Sequence, residues 1–351
     1  MKTFLFIVGY LFVLFSLIPL VRSDNWIFRI FEYPRFQKLI ITLTVFLSFL
    51  WLGDFSKTHD LVFASILGCN VFYLCYQVFP YTVMARGQMK RTKVQASERT
   101  VSLLICNVFQ DNKNVEALLD QVQQYDPDMV LLVEVNSYWD TKLRALHGAY
   151  HHRVLSPLEN TYGMSLYSKL ELVDPSVKYL VERGIPSIHT KVKLSNGEVI
   201  QLFGLHPEPP VPNENPRSTE RDAEILLIAK KAEKLKMPVI VAGDLNDVAW
   251  SYTTELFLKV SGLLDPRRGR GFYNTFHVKY PLMRWPLDHV FCSKHFRLVE
   301  LKRLPDMGSD HFPMFISLQL SREAAVDQEK EKLDKEPGAE RVAKEKIRKV
   351  A

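Results

Sequence analysis

Between residues 100 and 320 strand-like and helix-like runs alternate, which predicts an α/β fold. Three observations carry that expectation. The run at 129–135 is continuously apolar and reads as a central strand covered on both faces. Residues 114–125 place Val115, Leu118, Leu119 and Val122 at helical spacing and stop before Asp126-Pro127, a turn signal. Asn196-Gly197 separates alternating runs at 188–194 and 199–205, a hairpin, so the sheets should be mixed rather than purely parallel.

The remaining elements follow in chain order. Residues 101–109 read as a strand, 138–146 as a helix and 163–167 as a strand. A charged amphipathic helix is expected over 218–235, a short buried strand over 239–242 and a helix over 251–260, with Ser251 as its N-cap. Strands at 290–292, 298–301 and 314–320 complete the set. From Ser321 the chain is dense in Lys and Glu and lacks aromatics, the composition of a solvated helix or disordered tail (321–351).

Residues 1–85 are different in kind. Charges are sparse, and apolar runs at 4–21, 39–53 and 61–85 are expected to form three transmembrane helices, the second of marginal length. The first run has a rival reading as a signal peptide cleaved near Val21-Arg22-Ser23. Arg22, Arg29, Arg35 and Lys38 follow the first run. Arg86, Lys90, Arg91, Lys93 and Arg99 follow the third, in a basic linker (86–99), while the opposite side has only Lys2 and Lys57. With three spans, this asymmetry places the C-terminal part in the cytoplasm; a cleaved first run or a second that does not span reverses it.

The formal net charge of +6 is concentrated near the apolar segments, so it points weakly to nucleic acid and equally to any phosphate-bearing substrate. The four cysteines have neither disulfide nor zinc spacing and read as free thiols. No protein partner is evident.

The chemistry lies at the ends of the strand-like runs. Asn107, Glu134, His206, Gly243-Asp244-Leu245-Asn246, Leu287-Asp288-His289 and Gly308-Ser309-Asp310-His311 each follow an apolar run or lie between two. Side chains at successive strand ends can converge on one rim of a sheet. Carboxylate and amide oxygens there suit a hard divalent cation, and a histidine held by a carboxylate can transfer a proton near neutral pH. The expected chemistry is metal-dependent hydrolysis of a phosphate ester.

In order and spacing these residues resemble the endonuclease/exonuclease/phosphatase superfamily, which includes deoxyribonucleases, apurinic-site endonucleases, neutral sphingomyelinases and inositol-polyphosphate 5-phosphatases. The three apolar runs followed by Trp26, Arg29 and Pro34-Arg35 resemble a bacterial membrane-attached branch. The resemblance covers residues 100–320 and implies a four-layered α/β sandwich of two mixed sheets with helices outside. It also implies Mg²⁺ or Mn²⁺ and a multi-pass protein of the bacterial inner membrane.

By position, the resemblance implies that Glu134 is the principal metal ligand and that Asn107 helps bind metal or holds the ligand shell. Asp244 would activate water, Asn246 and His206 would bind the scissile phosphate, and His311 would contact phosphate or move a proton. Asp310 would fix the His311 tautomer, and Asp288 would support the histidine network. Apurinic-site enzymes carry an acid two positions after the first-motif Asn. Here that position is Phe109, with Asp111 and Asn112 out of register, which favours one metal and argues against apurinic-site specificity.

Taken together, these readings describe a membrane-anchored phosphodiesterase acting on nucleic acid or on a phospholipid or sphingolipid head group. The alternative is a non-catalytic membrane scaffold with a degenerate site. Arg183 and Arg221 read as surface arginines rather than phosphate ligands, and His151 and His152 as surface residues.

Overall fold

The computed structural model describes residues 1–92 and 96–350; Lys93 of the basic linker lies outside the described residues. The chain opens with α1 (Lys2–Leu17), a one-turn α2 (Trp26–Arg29), α3 (Arg35–Leu52) and α4 (Thr58–Val78). With the turns that extend two of them, Lys2–Leu20, Arg35–Leu52 and Thr58–Tyr81 are long and apolar enough to cross a membrane. The second starts at Arg35, one turn earlier than its apolar run, because Lys38 is buried and spends its charge locally. Its Nζ donates to the carbonyls of Phe15 (3.0 Å) and Phe31 (2.8 Å).

The three long helices pack through Leu5, Val45, Phe49, Phe63 and Leu67, while Leu47, Trp51 and Phe72 face outward. An ion pair between Lys2 and Asp60 joins the N-terminal ends of α1 and α4.

Among the described residues, the globular part is built from eleven strands in two sheets. They are β1 (Thr100–Asn107), β2 (Met129–Val133), β3 (His152–Ser156), β4 (Met164–Ser168), β5 (Glu171–Lys178) and β6 (Ser187–Lys193). The chain continues with β7 (Val199–Leu205), β8 (Val239–Asp244), β9 (Asp288–Cys292), β10 (Phe296–Arg303) and β11 (Met314–Leu320). The first sheet has the order β10-β11-β1-β2-β4-β3 and the second β5-β6-β7-β8-β9.

Each sheet contains one parallel pair, β1 with β2 and β7 with β8; all other neighbours are antiparallel. The sheets bury Leu103, Leu131, Leu202, Ile240 and Ile316 between them. α5 (Val115–Tyr125) and α6 (Ser137–Lys142) cover the outer face of the first sheet; α7 (Thr219–Lys234) and α8 (Tyr252–Ser261) cover that of the second. The result is a four-layered α/β sandwich, as expected.

Two strands escaped the sequence reading. β3 is short, and β5 is an exposed edge strand whose register shifts around Asp174-Pro175, where proline interrupts the pairing.

The C-terminal segment also departs from expectation. After α9 (Arg322–Asp327), α10 (Ala339–Arg348) packs on α7 and α8. Ala339, Ala343 and Lys346 recur at helical spacing and form its buried face. The Lys346 Nζ donates to Asp24 and Asp222, each at 2.8 Å. A composition rich in Lys and Glu concealed this face because its contact residues are two alanines and a paired lysine.

Candidate metal and phosphate site

The two parallel pairs aim their C-terminal ends at one rim. Asn107 ends β1, Glu134 follows β2, His206 follows β7 and Asp244 ends β8. The antiparallel neighbours bring the opposite ends of their strands to the same rim: Asp288 opens β9, level with Asp244, and His311 lies three residues before β11. Sheet topology therefore gathers residues separated by up to two hundred positions.

Asn107 is the hinge of the cluster. Its Nδ2 donates to Glu134 Oε1 (2.8 Å) and Asp244 Oδ2 (3.1 Å), and its Oδ1 accepts from the Phe109 amide (2.9 Å). Glu134 Oε2 accepts from the Gln110 amide (3.1 Å). The Asn107 oxygen is thus engaged, and its amide holds two carboxylates in place.

His311 sits between two acids. Its Nδ1 pairs with Asp288 Oδ2 at 2.8 Å, and its Nε2 lies 3.5 Å from Asp244 Oδ2. Asp288, not Asp310, therefore orients the imidazole. Asp310, adjacent in sequence, cannot turn back onto its own neighbour's ring; its side chain accepts from Ser309 Oγ (3.4 Å) and its charge raises the Glu134 pKa. The expectation that Asp310 fixes the tautomer is corrected accordingly.

Burial and charge divide the roles. Burial works against the His311 imidazolium, but Asp288 and Asp244 outweigh it and push its pKa up to about 10. Burial lifts Asp244 to about 7 despite the nearby His311. Burial also raises Glu134, opposed by the Asn107 hydrogen bond. His206 goes the other way, down to about 3, through burial and repulsion from His311, so its imidazole is neutral. Its ring lies 5.5 Å from that of Tyr162, and its Nε2 lies 4.0 Å from Asp244.

Backbone geometry explains the flanking motif residues. Glu134 and Asn246 both have positive φ (63° and 51°), a conformation that Asn tolerates readily and Glu does not, and one that concentrates at functional sites. Gly243 has φ 139°, and a Cβ there would lie 2.0 Å from the Leu205 carbonyl oxygen on the paired strand. Gly308 has φ 92°, with Asn112 Oδ1 2.8 Å from where its Cβ would be. Asn112 donates to the carbonyls of Val108 and Met307 (both 3.3 Å), tying these two loops together.

Arg221 is neither on the surface nor poised for phosphate. It is buried, and its Nη1 donates to the Asn246 carbonyl (2.6 Å) and its Nη2 to Asp222 Oδ1 (2.9 Å). The same Asn246 carbonyl accepts from Tyr33 Oη (3.0 Å), in the segment between α1 and α3. Trp250 Nε1 donates to the Glu32 carbonyl (2.9 Å), and Arg29 pairs with Asp222 at 2.6 Å. Tyr33, Arg29 and Tyr162 were missed by the sequence reading. Arg29 and Tyr33 lie in a segment read for its charge and for its likeness to a membrane-attached branch but not for contacts with the site, and only the fold brings Tyr162 to His206.

A family model described as "Endonuclease/Exonuclease/phosphatase family" matches residues 104–311. The chain belongs to the endonuclease/exonuclease/phosphatase family. The fold is shared with humanized D. rerio TDP2 (16% identity, 63% of this chain and 99% of that chain, TM-score 0.51). It is shared too with the human Nocturnin catalytic domain (17%, 69% and 99%, 0.52). A third likeness is to an endonuclease/exonuclease/phosphatase family protein from Bacteroides thetaiotaomicron (17%, 64% and 96%, 0.51). No curated protein matches the sequence.

Members of this family use divalent metal, and the donor set here fits one. Glu134, Asp244, Asp288 and Asp310 gather around a single imidazolium, an excess of negative charge, and Asp288 Oδ1 is buried without a hydrogen-bond partner. Among the described residues, Asp244, Asp288 and His311 present ligand atoms within 4.8 Å of one another. Their mutual pairing already uses several of those atoms, so they suit proton handling better. Glu134, only partly buried where those three are buried, is the better candidate for a hard ligand.

Proposed function

We propose that this chain is a membrane-anchored, divalent-metal-dependent phosphodiesterase whose site comprises Glu134, Asn107, Asp244, Asn246, His206, Asp288, Asp310 and His311. The observation that carries the reading is the Asp288–His311–Asp244 array lying beside the Glu134 carboxylate. Glu134 and Asp310 would hold Mg²⁺ or Mn²⁺, which when bound polarises a phosphoryl oxygen and stabilises charge developing on it.

The protein groups do the rest. Asp244, ionising near neutrality, takes a proton from the attacking water. Asn107 fixes Asp244 and Glu134 relative to each other. His311, kept protonated by Asp288, faces the phosphate as a cation and donor. Neutral His206 and the Asn246 side chain, the latter anchored to the Pro207 carbonyl (3.0 Å), line the phosphate position.

The hydrogen bonds and ion pairs that join Asn107, Glu134, Asp244, Asp288 and His311 speak for an enzyme rather than a scaffold with a degenerate site. The expected outcome is turnover of a phosphodiester that stops in excess EDTA and falls about 10²–10⁴-fold in His311→Ala, the usual worth of a positioned proton-transfer group. Undiminished turnover in either case would sink the reading. A D. rerio TDP2 structure is described as complexed with single strand DNA product, which keeps nucleic acid beside lipid head groups as a substrate class.

The same proposal divides the chain into a membrane region (1–85), linker (86–99), catalytic domain (100–320) and C-terminal segment (321–351). With three spans, the Lys/Arg asymmetry supports a cytoplasmic catalytic domain in a bacterial cell. A C-terminal alkaline-phosphatase fusion should then be inactive; an active fusion would put the domain on the other side.

A further inference from the structure

We propose that an apolar cavity between the membrane spans and the rim of the site seats a hydrocarbon tail of a membrane phospholipid, whose phosphodiester lies at Glu134 and His311. This inference rests on the phosphodiesterase reading and names its substrate class.

The cavity has a volume of about 670 Å³, within the usual range for small-molecule pockets, about 300–1,000 Å³. Phe12 and Phe15 of α1 and Ile30 of the inter-span segment line it, together with Val211, Met283 and Trp285 of two further loops. Those last residues belong to the loops that carry site residues. Pro209 follows His206 by three positions, and Trp285 precedes Asp288 by three. Aromatic rings bridge the remaining distance: Trp285 lies 6.4 Å from Phe276, and Phe276 lies 5.0 Å from His311.

Two further features favour hydrocarbon. The cations on the wall are already committed, Lys38 to the carbonyls of Phe15 and Phe31 and Arg29 to Asp222 and Glu32. The cavity therefore holds no charge for a nucleic-acid backbone, whose binding depends on basic side chains. The outer lip is also apolar and uncovered: Leu282 is 84% exposed, and Met283 and Ile30 of the lining are exposed as well. Gln37, in the first turn of the second span, donates to the Leu282 carbonyl (2.9 Å), which fixes this lip at the level where the span begins.

A tail leaving a bilayer for this cavity gains little, since lipid is as apolar as the wall. The cavity's contribution is to hold the phosphate against the site. A short-chain lipid arriving from water, by contrast, should reveal the cavity through its chain length.

The test uses the full-length protein in amphipol. Dibutyryl and dihexanoyl phospholipids with choline, ethanolamine and glycerol head groups are supplied below their critical micelle concentrations, with bis(p-nitrophenyl) phosphate as a tailless phosphodiester. For one head group, kcat/KM should rise about tenfold from dibutyryl to dihexanoyl, the worth of two more buried methylenes, and Val211→Trp or Met283→Trp should flatten that ratio to about twofold or less. Either variant suffices if the other does not fold.

A flat ratio in the unaltered protein, or a ratio that survives both substitutions, would overturn the inference. His311-dependent hydrolysis of bis(p-nitrophenyl) phosphate with no turnover of any lipid would overturn it while leaving the phosphodiesterase reading standing. Absence of His311-dependent turnover on every substrate would remove both. A phospholipid with a photoreactive tail should label residues 209–212 or 282–285; labelling confined to the outward faces of the spans would count against the cavity.

Discussion

The two sheets supply halves of the site that are held in different ways. The first sheet brings Asn107 and Glu134, fixed by hydrogen bonds among themselves and to the adjacent loop, at Gln110 and Phe109. The second brings His206, Asp244, Asn246 and Asp288, and the loop after Asp244 is braced partly by α7 and partly by residues of the N-terminal helical region. Tyr33 and Arg221 share the Asn246 carbonyl, Arg29 pairs with Asp222, and Tyr81 Oη donates to the Ala249 carbonyl (2.5 Å). The N-terminal helical region is therefore part of the support of one half-site. His311, arriving from the first sheet, is held by Asp288 of the second and joins the halves.

The sharpest way to separate the halves is to compare Asp288→Asn with Asn107→Ala. Asp288→Asn removes the carboxylate that orients and charges His311, so kcat should fall about 10²–10⁴-fold with metal affinity little changed. Asn107→Ala removes the group that holds the Glu134 carboxylate, and apparent Mg²⁺ affinity should weaken about 10–100-fold, the usual worth of such a supporting partner. Metal titration of activity in both variants distinguishes them. Equal loss of metal affinity would mean that the halves act as one ligand set.

The next effect concerns the brace. Arg29→Met should destabilise the protein by roughly 1–3 kcal/mol, below the 3–5 kcal/mol typical of a broken buried pair, because Arg221 and Lys346 still face Asp222. The loss should appear in kcat more than in metal affinity, since the disturbed loop carries Asn246 rather than Glu134. A denaturation midpoint and a Mg²⁺ titration check this. An unchanged midpoint would show that the inter-span segment contributes no support. By the same argument, a soluble piece lacking residues 1–85 loses Tyr33, Arg29 and Tyr81 together, which makes the full chain the proper object for assays.

How much of this was legible in the sequence follows the same division. Asn107, Glu134, Asp244 and His311 stand at strand ends, where a run of apolar residues stops at a polar one, and the rule that strand ends share a rim was enough to group them. The partner of His311 was not legible in that way. Asp310 is its neighbour in the chain, yet Asp288 is its neighbour in space, because only the pairing of β8 with β9 brings Asp288 level with Asp244. Arg221 looked like a surface residue because its helix is highly charged; its burial goes with ion pairs to Asp222 and Asp247 and a hydrogen bond to the Asn246 carbonyl in the loop after Asp244. Period and composition report on faces and ends, whereas ion pairs across elements depend on docking.

The smallest expected effect tests the layer behind the second half-site. Glu224 on α7 is buried, and its Oε1 has no hydrogen-bond partner among the described residues. Burial, with Glu182 nearby, pushes its pKa up to about 8 from the ordinary 4.5. The unfolded chain releases that proton first, so between those values the folded state holds the extra proton and stability falls as pH rises, by at most about 1.4 kcal/mol per unit from this group. Below pH 4.5 both states are protonated and the group contributes no slope. Glu224→Gln keeps the shape and removes the ionisation. It should therefore raise the melting temperature at pH 8 and leave it almost unchanged at pH 5, as read by thermal unfolding at the two pH values. An equal shift at both would mean that Glu224 is felt through packing alone and that the layer behind Asp244 carries no titrating strain.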